Sequence, residues 1–442
     1  MKIALHWRIL IGIVSGLIVG LGLNLIIGEE TIGAAIGSKD FSILKVIYLV
    51  FDYMGQIFIR LLKMMVVPLV FASIYMAIVN LENITEIGKI GKKTVGYYFL
   101  TTALAVGMGI VVVNIINPGD VPQETIDLLK AKMDLPAKVA NASVGDKSSV
   151  EIVLDTLVGM IPKNPFNALA NMKVLQIIFF SIFIALVAVN HQEKTKALSN
   201  VISSIDTIMQ KGVGLIMKVA PYFLFFLVGG IFMEIGLAVL APLAKYAVTV
   251  LIGLGLHGFV TLPILVFLFT KRNPYKLFRQ MTTPFLTAWA TASSAATLPI
   301  TMKTLEEEVG VDPKVSNFVL PLGATINMDG TALYESIAVI FIAGILGIDL
   351  SFGQQVVIFI TASLAAMGAA AIPGAGLVTM GIVLSAVGMP LDAIGIILAV
   401  DALLDQFRTA INVWGDGTAA FVINHTEGDT ADSDLDGTVA ID

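Results

Sequence analysis

Residues 392–424 read DAIGIILAVDALLDQFRTAINVWGDGTAAFVIN, a helix-length apolar stretch that carries Asp401, Asp405, Arg408, Thr409, Asn412 and Asp416. At about 100° per residue these six positions project onto a single arc of about 100°, so they form a polar stripe on one face of a membrane helix. A charge at bilayer depth costs at least about 2.5–3.5 kcal/mol by insertion scales. Such charges therefore face the protein interior or a water-filled cavity and mark a path for solute or ions. A structural Asp–Arg pair would account for one cation and one anion. It does not require three carboxylates, an amide and a hydroxyl on the same face.

The rest of the chain supports this reading. Of 442 residues, 57% are hydrophobic and 14% charged, against about 25% charged in soluble domains, so the protein is an all-α integral membrane protein. Apolar runs at 8–27, 46–81, 94–117, 168–190, 213–233, 238–270, 317–348 and 392–424 predict about eight spanning helices, several long enough to tilt. The first run has no small-residue cleavage site after it and reads as a span, not a signal peptide. Basic residues gather at Lys89, Lys92 and Lys93, at Lys194 and Lys196, and at Lys271, Arg272, Lys276 and Arg279, alternating with loops that hold Glu29, Glu30, Asp120 and Glu234. The positive-inside rule then places the N-terminus in the cytoplasm of a multi-pass protein of the plasma or bacterial inner membrane. The connection at 118–163, with its prolines and acids, reads as an extracellular loop. The formal net charge of −6 gives no sign of a nucleic-acid partner, because much of it comes from Glu427, Asp429, Asp432, Asp434 and Asp436 in a solvated, disordered tail at 425–442. The absence of cysteine says little in a membrane bundle.

Up to about residue 270 the spans are ordinary Leu/Ile/Val/Phe helices, suited mainly to a scaffold, with the span at 94–117 assigned to the transport machinery. Residues 271–424 follow another pattern: a broken hairpin at 275–306, a helix at 313–348, a second broken hairpin at 353–390 and the polar helix at 392–424. The first break is Thr291-Ala292-Ser293-Ser294-Ala295-Ala296-Thr297-Leu298-Pro299 and the second is Gly368-Ala369-Ala370-Ala371-Ile372-Pro373-Gly374-Ala375-Gly376. The arms on either side are too short to cross a hydrocarbon core of about 30 Å, so both read as re-entrant hairpins. Ser293 precedes Asn327 by 34 residues (327 − 293) and Gly374 precedes Arg408 by 34 (408 − 374). Paired interrupted segments in corresponding positions point to a transporter built from inverted repeats, with its binding site at the breaks.

The chemistry available at these breaks is specific. A helix ending inside the membrane leaves backbone groups that a bound species must satisfy. Ser293 and Ser294 offer N–H and hydroxyl donors to an anion at a helix N-terminus, while Gly374, Ala375 and Gly376 allow close backbone approach and a flexible gate. In Gly323-Ala324-Thr325-Ile326-Asn327-Met328-Asp329-Gly330-Thr331, the clustering of Asn, Asp and Gly predicts local unwinding. Carbonyl, amide, hydroxyl and carboxylate oxygens with no His or Cys nearby suit Na⁺ more than a transition metal, with Asp329 and Asp416 as the anionic ligands. Arg408 presents a permanently charged fork to a carboxylate and Asp405 can take an ammonium, which together complement an acidic amino acid. Neither a G-x-S-x-G nor an H-E-x-x-H arrangement is present, and the Gly88–Thr94 stretch misses the Walker spacing. The chain reads as a transporter driven by ions, not as an enzyme.

These motifs carry a resemblance. Ser293-Ser294 with Thr297-Leu298-Pro299, Asn327-Met328-Asp329-Gly330-Thr331, Ile372-Pro373-Gly374-Ala375-Gly376, and Asp405 through Asp416 resemble the dicarboxylate/amino acid:cation symporter family, the glutamate/aspartate transporters. Similarity extends to Arg60-Leu61-Leu62-Lys63-Met64 with Pro68 and to Tyr97-Tyr98-Phe99-Leu100-Thr101-Thr102. The resemblance implies a homotrimer with a trimerisation scaffold and a transport domain that moves like an elevator. It implies that Ser293 and Ser294 meet a substrate carboxylate, Thr331 and Arg408 the side-chain carboxylate, Asp405 with Thr409 the amino group, and Asn412 the main-chain carboxylate, with lid contacts from Ile372 and Gly376. Three Na⁺ sites are implied. One uses carbonyls of Gly323, Asn327 and Asn412 with the Asp416 carboxylate; a second uses Thr325 and carbonyls of Ala366, Met367 and Ala369; the third uses Tyr98, Thr101, Thr102, Asn327 and Asp329. Ala292 stands where archaeal relatives carry an arginine, and Gln406 where animal relatives carry a second one. Glu335 resembles the animal branch, in which an acid at this position is linked to proton co-transport.

The sequence thus predicts a sodium-coupled secondary symporter of glutamate or aspartate, with Glu335 as the candidate for proton coupling. The alternatives are a carrier of neutral amino acids or C4-dicarboxylates and, in another class, an anion-conducting channel. Asp405 argues against substrates without an amino group, and Arg408 against neutral side chains.

Overall fold

The computed structural model describes residues 5–28, 31–32, 42–80, 89–124, 126–127, 149–367 and 374–427. Among them there is no strand. Six helical stretches are long and apolar enough to cross a membrane by length and composition. They are α1 (Leu5–Ile27), α2 (Ile43–Asn80), α3 (Lys89–Ile116), a 44-residue helix before Gly236, the stretch Leu240–Thr270 and the stretch Pro313–Ile345. The sequence-predicted span at 168–190 is shorter than expected. Asn164 caps a short helix α5 (Pro165–Ala170), Met172 turns left-handed at φ 52°, and only α6 (Val174–Val189) continues the apolar run. Within the expected loop at 118–163, residues Ser149–Gly159 form a helix, α4. The acidic tail falls outside the described residues from 428 onward.

Packing follows the small residues. Gly12, Gly16 and Gly20 recur every fourth residue on α1, and a Cβ at any of them would lie against the backbone carbonyls of Pro221, Phe225 and Gly229 in α7 (Gln192–Ile235). A helix with that stripe brings its backbone into contact with its neighbour, and in a bilayer, where apolar transfer gives no drive, such close dispersion contact holds helices together. α7 also lies along α2, and α2 along α6. The outward rows of these helices are apolar, as at Ile11, Ile18, Met64 and Leu215.

The second group of helices is arranged around a buried axis. Residue by residue, the chain continues as α8 (Leu240–Leu256), a π turn at His257–Thr261, α9 (Leu262–Thr270), α10 (Pro274–Gln280), α11 (Thr282–Thr291), α12 (Ser294–Thr304), α13 (Pro313–Ile326), α14 (Asp329–Ile345), α15 (Phe352–Ala366), α16 (Ala375–Ala386) and α17 (Ile394–Glu427). α14 is buried on every side from Asp329 to Val339 and packs against α3, α8, α15, α16 and α17. α17 in turn lies against α11, α12 and α13. Two of the predicted breaks, at 291–299 and 323–331, fall within the described residues and appear as interruptions. α11 ends at Ala292 (φ 48°), and Ser293, extended at φ −147°, caps α12 by accepting from Ala296 N at 3.2 Å. The helix through 323–331 is interrupted only at Asn327 and Met328, between α13 and α14. α15 and α16 pack together as the arms of the second hairpin, whose tip at 368–373 lies outside the described residues.

Candidate functional site

Two buried polar clusters meet where α14 crosses α17. The crossing is close because Gly330 has no side chain: a Cβ there would sit 2.6 Å from the Arg408 carbonyl oxygen. Asn412 locks the crossing, its Oδ1 accepting from Gly330 N at 2.8 Å while its Nδ2 donates to Thr331 Oγ1 at 3.2 Å and lies 3.3 Å from Met328 Sδ.

The first cluster surrounds the break in 327–328. Asn327 Nδ2 donates to Asp416 Oδ1 at 3.1 Å, and Asn327 Oδ1 accepts from Thr101 Oγ1 at 3.1 Å. Asp329 Oδ1 accepts from Thr102 Oγ1 at 2.8 Å. A Cβ on Gly323 would strike the Tyr98 hydroxyl and Asp416 Oδ1, so those two oxygens lie over the glycine. The Tyr98 hydroxyl donates to Val319 O at 2.7 Å, and the Gly323 carbonyl accepts the N–H of Asn327 at 2.9 Å. Tyr98, Thr101, Thr102, Gly323, Asn327, Asp329 and Asp416 are thus brought together from four elements, α3, α13, α14 and α17, and all are buried. Asp416 has no salt bridge among the described residues. Two buried carboxylates among hydroxyl, amide and carbonyl oxygens form a donor set that fits Na⁺ more than a soft metal, although, against the sequence expectation of no nearby histidine, the His257 imidazole lies 3.2 Å from Asp329 Oδ2.

The other predicted Na⁺ set is not brought together in the same way. Thr325 is exposed, with its hydroxyl donating to Leu322 O at 3.0 Å within its own helix. Ala366 is fully buried at the end of α15 and Met367 follows it at the surface of the second core cluster. Ala369 lies outside the described residues.

The second cluster is built on Arg408, which is 1% exposed. Its Nη2 donates to Asp405 Oδ1 at 2.5 Å and its Nη1 to Asp401 Oδ1 at 3.3 Å, while the guanidinium carbon lies 4.1 Å from the centroid of the Tyr334 ring. Tyr334 OH donates to the same Asp401 oxygen at 2.6 Å. Stacking on an aromatic face and two carboxylates together make burial of the cation tolerable. The second hairpin approaches from the side: Gly374 N donates to Asp405 Oδ2 at 3.0 Å, and a Cβ on Gly376 would fall 2.7 Å from Arg408 Nη1. That contact needs a glycine. The first hairpin meets α17 one residue away, where the Trp289 ring lies edge-on to Phe407. Ser293 and Ser294 are buried at its tip. Thr409 bonds its hydroxyl to Asp405 O at 2.8 Å. Ile372 lies outside the described residues. Glu335, fully buried one helical turn beyond Thr331, accepts from Thr379 of α16, and its Oε2 has no hydrogen-bond partner among the described residues.

Sequence reasoning assigned no site role to three residues that complete these clusters. His257 Nε2 lies 3.2 Å from Asp329 Oδ2, with both side chains fully buried. Asp401 belongs to the polar stripe, but its role as second partner of Arg408 depends on one further helical turn of reach. Tyr334 supplies both the ring over the guanidinium and the bond to Asp401.

Comparison with known proteins gives the family. The description "Sodium:dicarboxylate symporter family" matches residues 5–426. The chain belongs to the sodium:dicarboxylate symporter family. Among similar members of that family, the Excitatory amino acid transporter of Caenorhabditis elegans is 39% identical over 418 residues, covering 85% of this chain and 81% of that protein. Excitatory amino acid transporter 1 of Ambystoma tigrinum is 38% identical over 420 residues, covering 85% and 77%, and Excitatory amino acid transporter 3 of Mus musculus 36% over 457 residues, covering 95% and 85%. As a symporter of this family the chain is a multi-pass membrane transporter and not an enzyme. Both polar clusters lie inside the matched region.

Proposed function

We propose that the protein is a sodium-coupled symporter of L-glutamate, aspartate or both. The observation that carries this reading is Arg408 held between Asp401 and Asp405 at a point reached by both hairpins. An incoming side-chain carboxylate takes the place of Asp405 on the guanidinium, and the released Asp405 receives the substrate ammonium. This exchange conserves charge pairs, so neither buried ion is left unpaired at any stage. A dicarboxylate without an amine would release Asp405 with nothing to bind it, and a neutral amino acid could not compete for Arg408.

In this reading Ser293, Ser294 and Asn412 take the main-chain carboxylate, Thr331 and Arg408 the side-chain carboxylate, and Asp405 and Thr409 the ammonium, with Gly376 and Ile372 as lid contacts. Na⁺ held by Gly323, Asn327, Asn412 and Asp416, by Thr325, Ala366, Met367 and Ala369, and by Tyr98, Thr101, Thr102, Asn327 and Asp329 supplies the positive charge that the buried carboxylates lack. Asn412 and the α14–α17 crossing join the ion and substrate clusters, which supports coupling between them. Glu335 is assigned to carry a proton. The packing into an α1/α2/α6/α7 group and a group around α14 and α17 supports an elevator in which the second moves against the first, within a homotrimer in the plasma or bacterial inner membrane with a cytoplasmic N-terminus.

The test is uptake of radiolabelled aspartate, glutamate, serine and succinate by proteoliposomes with and without an inward Na⁺ gradient. Accumulation of an acidic amino acid only with the gradient is expected. Succinate uptake equal to that of glutamate and aspartate, or acidic uptake indifferent to Na⁺, would overturn the assignment.

A further inference from the structure

The apolar helix over 240–270 contains one π turn, at His257–Thr261, and its cause is local. Pro263 has no N–H, and in a regular α-helix its ring would collide with the carbonyl of Phe259, four residues back. In the wider turn the N–H of Leu262 reaches the carbonyl of His257. The carbonyls of Gly258 and Phe259 then lose their ordinary backbone donors. Side chains from other elements replace both donors: Trp414 Nε1 donates to Gly258 O at 2.8 Å, and Tyr275 OH donates to Phe259 O at 3.2 Å. The same turn sets the His257 ring against Asp329. His257 Nδ1 has no hydrogen-bond partner among the described residues, so the backbone register of the turn is what aims the ring.

We propose that Trp414 is a positioning residue for the Asp329 site: its indole N–H holds the 257–261 turn in π register, and that register keeps His257 on the Asp329 carboxylate. If the turn relaxed to α register, Gly258 O would regain the N–H of Leu262. The helix before it would rotate by about one residue, about 100°, and carry His257 off the carboxylate. The indole removes the advantage of that relaxation by giving Gly258 O a donor already. Trp414 is fully buried, edge-on to Phe278 at 5.2 Å between ring centroids, and offers no oxygen to an ion. Its influence on the carboxylate therefore runs through the turn. This role rests on the reading of Asp329 as a Na⁺ ligand, and groups that orient a ligating carboxylate are as influential as the ligand's own geometry.

The experiment uses the purified full chain in detergent without substrate and reads the Na⁺ concentration for half-maximal thermal stabilisation, with choline replacing Na⁺ at constant ionic strength. Trp414→Phe keeps the ring and loses the donor, and is expected to raise the midpoint about tenfold. His257→Ala is expected to raise it at least as much, whereas His257→Gln, which retains an N–H at a similar reach, should restore part of the loss. The double variant Trp414→Phe/His257→Ala should be no worse than His257→Ala alone, because the group being positioned is gone. An unchanged midpoint in Trp414→Phe, or the same fold-increase in the His257→Ala background as in the wild type, overturns the proposal. Pro263→Ala removes the cause of the π turn without threatening the helix and should raise the midpoint too. Should Trp414→Phe not yield folded protein, an unchanged midpoint in Pro263→Ala overturns the proposal instead. If Asp329→Asn leaves the midpoint unchanged, the Na⁺ reading falls and the positioning role with it. If Asp329→Asn raises it while Trp414→Phe does not, only the positioning role falls.

Discussion

Arg408, itself 1% exposed, balances two carboxylates, so its replacement has two separable consequences. Arg408→Cys removes the cation assigned above to the substrate's side-chain carboxylate and frees Asp401 and Asp405 from it. Breaking a buried ion pair from one side costs about 3–5 kcal/mol, which corresponds to a loss of two orders of magnitude or more in acidic amino acid uptake. Serine or alanine uptake should be retained or gained, because those substrates need Asp405 and not the guanidinium. The measurement is competitive uptake of labelled aspartate and serine by the same vesicles, and undiminished aspartate uptake would contradict the substrate assignment. Glu335 tests the proton assignment in a similar way. Its only hydrogen-bond partner among the described residues is Thr379 of α16, which belongs to the second hairpin, so its state is tied to that hairpin. Glu335→Gln is expected to abolish the acidification of the vesicle lumen that accompanies uptake, while exchange of internal for external substrate persists. Lumenal acidification persisting at the wild-type ratio to substrate would place the proton elsewhere.

At the scale of elements, the site depends on how closely α14 and α17 can cross. Gly330→Ala places a methyl 2.6 Å from a backbone oxygen and 3.1 Å from a backbone Cα, neither of which can turn aside as a side chain could. Overpacking of this kind costs about 1–3 kcal/mol, and here it also lengthens the Asn412 bond to Gly330 N. The variant should melt at lower temperature and bind substrate more weakly, whereas Gly96→Ala, which meets nothing within 4 Å, should do neither. Two of the breaks were legible in the sequence because they are written in adjacent residues: the Asn-Met-Asp-Gly cluster marks the interruption, which is confined to 327–328 and narrower than the 323–331 expected, and Ala292 followed by two serines ends one helix and caps the next. The π turn was not legible in that way. Pro263 marks a disturbance within an apolar run, but the donor that makes the turn tolerable, Trp414, is 156 residues away, and local reading does not pair them. The same limit applies to His257 and Asp329, and to the span at 168–190, whose interruption turns on one left-handed methionine, a conformation that composition does not signal. The Gly12, Gly16 and Gly20 stripe was present in the sequence, but its partner on α7 was not.

The described residues form two helical groups that touch where α16 meets α2 and α6 and where α17 meets α1 and α7. If transport requires one group to slide past the other, a covalent link across that surface should stop it without touching the site. The natural chain has no cysteine, so an engineered pair has no competitor. Val66 on α2 and Gly381 on α16 face each other across that surface: a Cβ at 381 would lie 3.9 Å from Val66 Cγ2, in van der Waals contact, so a cysteine pair there meets with a small approach of the two helices. Both positions are apolar, and neither belongs to either polar cluster. Val66→Cys/Gly381→Cys is expected to lose net uptake and exchange on oxidation and to recover both on reduction, because exchange also requires the site to face both sides in turn. Binding of labelled substrate in detergent should survive oxidation, since the link leaves Arg408, Asp405 and the Na⁺ ligands where they are. Oxidised protein that forms the link and still transports at the rate of the reduced form would show that these two surfaces do not move apart, and the elevator assignment would have to be withdrawn.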